Sequence, residues 1–252
     1  MIKKLKTAAI IPARIESSRL PRKALLDICG LPMIVHVYRR CLLASLLDEV
    51  YVATDSVEIK ESIEQHGGKV IMTSSSHQTG TDRIAEAAQN IEAEIIVNVQ
   101  GDEALVNPLY VDQAVAELQK NSDINVAILV NPYFKFNSPS DIKVVLNKNN
   151  DVLYVSRADI PSNSRFEDPP MYKAYHIVPF RKKFLFQFTQ LEKGSLEEIE
   201  FNEYLRIIEH GYKIRAVHVD SDAVSVDTAE DLKFVRGMMP KDAFFPRYKD
   251  QS

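Results

Sequence analysis

A chain of 252 residues that is 45% hydrophobic and 26% charged can bury a substantial core, and a formal net charge of −4 gives no electrostatic ground for binding nucleic acid. No stretch reaches the roughly 20 apolar residues of a membrane span. The apolar run Ala8–Ile11 behind the basic start Met1–Lys6 stops at Pro12, too short for a secretory signal, so a cytoplasmic protein is expected.

Strand-length apolar runs alternate with helix-period segments. Thr7–Pro12 reads as a first strand, and Pro32–Ala44 as a helix with Pro32 in its first turn. Glu49–Ala53 reads as a strand, Val57–Gln65 as a polar helix ending at Gly67-Gly68, and Val70–Thr73 as a strand. Thr79–Ile91 is expected to be helical, Glu94–Val99 extended, Pro108–Lys120 helical and Asn125–Val130 extended. This alternation predicts an α/β fold with a mostly parallel, Rossmann-like sheet covered by helices on both faces. From Ile142 the texture changes. Ile142–Leu146 and Val152–Val155 read as strands joined by an Asn-rich turn, and Ser162–Pro170 as an exposed loop. Two helices follow, Lys182–Leu191 and Leu196–His210, then a strand Ile214–Val219 that returns to the main sheet and a last helix Thr228–Gly237. The reading is one domain over 1–252 with an inserted lobe at about 142–210. Cys29 and Cys41 have no metal-ligand spacing and are expected as buried free thiols.

In parallel sheets of this kind ligands bind beyond the C-terminal strand ends. Three loops there should meet: Ala13–Lys23, Thr73–Arg83 and Gln100–Glu103. The first places Arg14, Arg19, Arg22 and Lys23 after the first strand. Such a cluster is either a solvated basic loop or a cradle for phosphates, whose spread charge needs several fixed cations. It has neither the Walker nor the G-x-G-x-x-G pattern. Val97–Glu103 ends in Asp102-Glu103, a carboxylate pair that suits a magnesium ion or merely caps a turn. In Ser225–Asp231 an acid could equally hold metal or cap the last helix.

In this order the motifs resemble the CMP-KDO synthetases, bacterial cytidylyltransferases, over about Thr7–Arg236. The specific segments are Ile11–Leu25, Pro32–Val37, Val52–Asp55, Met72–Arg83, Val97–Glu103, Val155–Ala158 and Ser225–Leu232. The resemblance implies transfer of CMP from CTP to an acidic sugar, KDO or a related ulosonic acid, with release of pyrophosphate. The product would be an activated sugar for surface polysaccharide such as lipopolysaccharide. It implies nucleotide contacts at Ala13, Arg14, Ser18, Arg19, Lys23, Thr73, Gln78, Gly80, Arg83, Gln100 and Gly101. Asp102 and Asp227 would bind Mg2+, and Lys23, Arg19, Asp102 and Asp227 would carry the chemistry. Gln100, Arg157 and Glu203 would meet the acceptor, and the lobe would form a homodimer interface.

The chain departs from the family at several places. Arg22 stands where the first loop usually has glycine, and Ala104 replaces a proline. The pattern His-Ile-Gly-Ile-Tyr falls on Ala174–Val178, so Ala174 replaces the histidine, His176 the glycine and Val178 the tyrosine, while Tyr204 replaces a glutamine. His176 and Tyr204 are therefore the candidates to supply the missing acceptor contacts. A preserved nucleotide half beside a rebuilt acceptor half points to an altered acceptor preference, within the ulosonic acids or out to a phosphonate. A glycosyltransferase using Asp220-Ser221-Asp222 as a D-x-D metal motif is the competing class, and a catalytically silent binding protein is a third.

Overall fold

The computed structural model describes residues 5–17, 19–220 and 224–250. The first half alternates strictly enough to follow by eye: β1 (Thr7–Ala13), a two-residue hairpin β2 (Asp27–Ile28) and β3 (Leu31–Pro32), α1 (Met33–Cys41), β4 (Glu49–Thr54), α2 (Val57–Gln65), β5 (Val70–Met72), α3 (Gly80–Ala88), β6 (Ile95–Val99) and α4 (Pro108–Lys120). The second half is β7 (Ala127–Tyr133), β8 (Lys143–Leu146), β9 (Val152–Ser156), β10 (Met171–Tyr175), β11 (Ile177–Arg181), α5 (Lys182–Phe188), α6 (Ser195–Glu200), α7 (Tyr204–Glu209), β12 (Arg215–His218) and α8 (Ala229–Met238).

Two five-stranded sheets result. The first runs β11-β6-β1-β4-β5, parallel throughout except for the antiparallel edge strand β11. Period-two alternation explains its two covered faces. From β1, Ala9 and Ile11 pack with α1, α2 and α4, whereas Ala8 and Ile10 pack with α3, α5 and α7. Ile10 and Ile11 are wholly buried, each contributing about 1.5–3 kcal/mol by leaving water. The second sheet, β12-β7-β10-β8-β9, is mixed: β12 lies parallel to β7 and the rest are antiparallel.

The sheets are shared differently from the expectation. β7 and β12, read as members of the main sheet, build the second one. β11, from within the 142–210 stretch, closes the edge of the first. The cause is one extended run, Met171–Arg181, interrupted at His176: Tyr175 pairs with Leu129 of β7, while Ile177 pairs with Val99 of β6. Both strands of this run went unpredicted. The single helix expected over Leu196–His210 is two helices, broken where Phe201 takes a left-handed backbone (φ 50). Cys29 is also not buried; it sits exposed at φ 53 beside the Arg236 carbonyl, and only Cys41 lies in the core.

The C-terminal turns lock the frame beneath the site. Tyr248 inserts against α1, its hydroxyl 2.8 Å from His36 Nδ1 and 3.2 Å from Arg40 Nε, while Asp242 pairs with the buried Arg40 guanidinium at 2.5 Å. Arg236 of α8 donates to the Asp27 carbonyl at 2.9 and 2.7 Å, which anchors α8 on the hairpin β2–β3. Among the described residues no helix is long and apolar enough to cross a membrane.

Candidate active site

The loops after β1, β5 and β6 meet at the C-terminal edge of the first sheet. Gly101 makes the approach possible: a Cβ there would stand 2.8 Å from the Pro12 carbonyl oxygen, a distance that backbone cannot yield cheaply. Arg14 bridges the first two loops, donating to the His77 carbonyl at 2.7 Å. The Asp102 carbonyl accepts from Val226 N–H at 3.0 Å, and Ser225 donates to Glu103 at 3.2 Å. These bonds bring two motifs more than 120 residues apart in sequence to one point. α8 starts just beyond, with Thr228 and Asp231 forming a reciprocal cap.

At that point Lys23 Nζ lies 2.6 Å from Asp102 Oδ2 and 3.1 Å from Asp227 Oδ1, and Arg19 reaches the same Asp227 oxygen at 2.9 Å. Burial works against the Lys23 ammonium, but Asp102 and Asp227 outweigh it and raise its pKa above the ordinary value. The position where the family has glycine keeps a backbone that glycine favours. Arg22 itself adopts the left-handed conformation (φ 54, ψ 34), a strain of about 1–2 kcal/mol, and its guanidinium pairs with Glu58 at the surface.

A cleft of about 1270 Å³ runs from this cluster into the second sheet, and its walls include Arg19, Gln78, Gln100, Asp102 and Asp227 at one end. At the other end lie Arg157, Ala174, His176, Glu203 and Tyr204. Arg157 is mounted by main-chain contacts. Its N–H donates to Glu200 Oε2 at 3.0 Å, and its guanidinium reaches the Glu200 and Pro139 carbonyls at 3.2 and 2.9 Å. Lys143 braces the same loops from below, wholly buried, with its ammonium on the Ser138, Asp141 and Arg157 carbonyls at 2.7, 2.9 and 2.5 Å. Lys173 pairs with Asp141 at 2.8 Å. Burial opposes ionisation of Asp141, but Lys173, Tyr133 and Ser138 hold its carboxyl down to about 2.

His176, at the joint between the sheets, stacks on Tyr204 with ring centroids 6.0 Å apart. Burial pushes the imidazole down to about 4 against the pull of Asp102, with Lys173 and Arg157 assisting, so it is neutral near pH 7. Glu203 is hydrogen-bonded by the Thr81 hydroxyl, and burial raises its carboxyl pKa.

Other sequence-predicted residues lie elsewhere. Arg83 is fully buried, its guanidinium 2.6 Å from Thr73 Oγ1 and 3.3 Å from Asp55, so it braces the nucleotide loop from behind. Ala13 is buried at the end of β1, and Gly80 packs over Pro12 at the start of α3. Arg14 lines a separate hollow with Ile15 and Arg22. Ser18, and Ser221 and Asp222 of the D-x-D pattern, fall outside the described residues. Of the substituted acceptor positions, Ala174 and Tyr204 face the cleft, whereas Val178 is wholly buried in the core. Sequence reasoning missed Lys143, which holds carbonyls, the Lys173–Asp141 pair, and Glu200, which accepts from the Tyr154 and Ser156 hydroxyls and the Arg157 N–H; none stands in a local motif.

A nucleotide-sized cleft at the strand ends of a Rossmann-like sheet, with cations and carboxylates converging at one end, defines a nucleotidyltransferase architecture. The chain belongs to the cytidylyltransferase family, whose profile matches residues 8–214. It is 41% identical to a 3-deoxy-manno-octulosonate cytidylyltransferase from Geobacter metallireducens, over 90% of this chain and 95% of that one. It is 40% identical to an 8-amino-3,8-dideoxy-manno-octulosonate cytidylyltransferase from Shewanella pealeana, over 92% and 98%. Among solved structures, a CMP:2-keto-3-deoxy-manno-octonic acid synthetase complexed with CTP superposes with a TM-score of 0.90 at 38% identity, covering 94% of this chain and 99% of that one.

Proposed function

We propose that this enzyme transfers CMP from CTP to a hydroxyl of a 3-deoxy-manno-octulosonate-type acid. The observation that carries the reading is the single cleft that joins the Lys23–Asp102–Asp227 cluster to a cation, the Arg157 guanidinium, held by backbone carbonyls. Among the described residues no carboxylate pairs with the Arg157 guanidinium within 4 Å, although the Glu200 charge lies near it, and a guanidinium fork matches the carboxylate of a sugar acid. The acceptor hydroxyl gives up its proton to solvent and its oxygen attacks the α-phosphorus, the bond from that phosphorus to the pyrophosphate oxygen breaks, and pyrophosphate leaves. Lys23 and Arg19 hold the charge that builds on the leaving group. Gln100, bonded through its amide to Asn98 at 3.1 Å, orients the reacting groups between the two ends of the cleft.

The donor set suits Mg2+. Asp102 and Asp227 converge on one ammonium nitrogen, and among the described residues no third carboxylate, histidine or cysteine joins them. Two carboxylates completed by phosphate oxygens and water are what this ion prefers. Bound there, it supplies neutralisation of the phosphate charge. We further propose that the enzyme works in the cytoplasm as a homodimer joined through the lobe at about 142–210, and sedimentation would test the dimer.

The acceptor end favours one refinement. Ala174 withdraws a polar side chain from the wall, while Tyr204 and the neutral His176 add aromatic faces. Each lost hydrogen-bond partner costs about 1–3 kcal/mol toward the acid that needed it. Pyrophosphate release from CTP with the parent acid, its 8-amino form and other ulosonic acids tests both levels. Turnover with acids of this class supports the reading, and a substituted acid should be used more efficiently than the parent. Release with no acid of the class would refute the reading, and highest efficiency with the parent would refute the refinement alone. The comparisons lend no support to a phosphonate acceptor or a glycosyltransferase.

A further inference from the structure

Phe201 is the least explained side chain along the cleft. It is 85% exposed, yet it occupies the left-handed position that ends α6, where glycine is the ordinary solution. Neither feature stabilises the fold: the backbone is strained for a residue with a Cβ, and the ring gains almost no burial. Strain of this kind persists only where the surroundings enforce it, and here they do. Glu197 of α6 and Arg206 of α7 form a buried two-pronged pair at 2.5 and 2.6 Å, and Asn202 caps α7 through the Tyr204 N–H at 3.0 Å. Phe201 is therefore held at the tip of a rigid helix–turn–helix.

That tip lies on the acceptor wall. Phe201 follows Glu200, which mounts Arg157, and precedes Glu203 by two residues, and all but Glu200 line the same cleft. The polar residues there address the acid's carboxylate and hydroxyls. A sugar also presents a C–H face, which a fixed aromatic ring covers at little entropic cost. From this arrangement we infer that Phe201 is a specificity residue whose ring packs against the apolar face of the bound sugar acid. The inference rests on the proposed acceptor reading of the cleft. The strained backbone sets the ring's direction, and contact with substrate is what retains a phenylalanine where glycine is less strained.

The chain contains no tryptophan, which gives a direct test. In Phe201→Trp, emission should change saturably on adding the sugar acid without turnover, and should not respond to CTP alone. Phe201→Gly should raise the KM for the acid by about tenfold with kcat and the KM for CTP little changed, the pattern for lost uniform binding. Its thermal midpoint should be no lower than that of the wild type. An unchanged acceptor KM in Phe201→Gly, or equal losses for CTP and acid, overturns the inference. A shift from dimer to monomer with unchanged acceptor KM overturns it too, and assigns the ring to contact between copies. If the wild-type enzyme uses no acid of the class and the Phe201→Trp emission stays silent, the acceptor reading itself is removed. Normal wild-type turnover with silent emission removes only the role of Phe201.

Discussion

Lys23 joins the two carboxylate motifs of the candidate site. Its ammonium already compensates two carboxylates at 2.6 and 3.1 Å, so triphosphate binding must redistribute three charges, not one. Lys23→Ala should weaken CTP binding far more than cytidine binding, because the ammonium is a point charge for phosphate oxygens. Calorimetry with both ligands checks this, and equal losses would remove Lys23 from phosphate recognition. Asp102→Asn keeps the shape of the side chain while deleting its charge. Turnover should fall by about a hundredfold or more with the fold intact by circular dichroism. Near-normal turnover at saturating magnesium would take Asp102 out of the reaction. These residues were legible in the sequence because each stands in a short motif at a strand or helix end. Lys143 was not, because its partners are main-chain carbonyls that leave no mark in a sequence, and Glu200 was not, because its donors on Tyr154, Ser156 and Arg157 lie more than 40 residues away.

Among the elements, α2 and α4 could be read from the sequence with their observed bounds, since each start carries a chemical signal. Ser56 caps the first and Asn107-Pro108 opens the second. β10 and β11 were hidden because their run crosses from one sheet to the other at His176, so its alternation serves two different cores, and Pro179 interrupts it further. The helical period of 196–210 continues through Phe201, and a left-handed break without glycine gives no warning. The clasp that holds the resulting pair makes a prediction. Arg206→Leu strands Glu197 as a buried carboxylate, so unfolding free energy should drop by about 3–5 kcal/mol in urea titration. A change under about 1 kcal/mol would mean that the pair is solvated and α6–α7 is held otherwise.

For the whole molecule, the main consequence of the buried C-terminal lock is a pH dependence. Burial lowers the His36 pKa from 6.5 to about 4, with the Arg40 charge assisting and the Ile28 carbonyl opposing. Between those values the unfolded chain binds more protons than the folded one, so stability is full above pH 6.5 and declines as pH falls towards 4. The decline from this one group amounts to at most about 3 kcal/mol. His36→Gln, which does not titrate, should flatten that slope in unfolding free energy measured against pH. A slope unchanged by the substitution would place the acid sensitivity in other groups.

In the proposed reaction one cleft binds CTP at its cationic end and a sugar acid at its Arg157 end, and joins them. Phosphorus NMR of the enzyme with CTP, magnesium and a 3-deoxy-manno-octulosonate-type acid tests it most directly. The triphosphate signals should give way to inorganic pyrophosphate and one phosphodiester product in equimolar amounts, only when the acid is present. Triphosphate that stays intact with every acid of the class, or that is cleaved equally well without one, would contradict it.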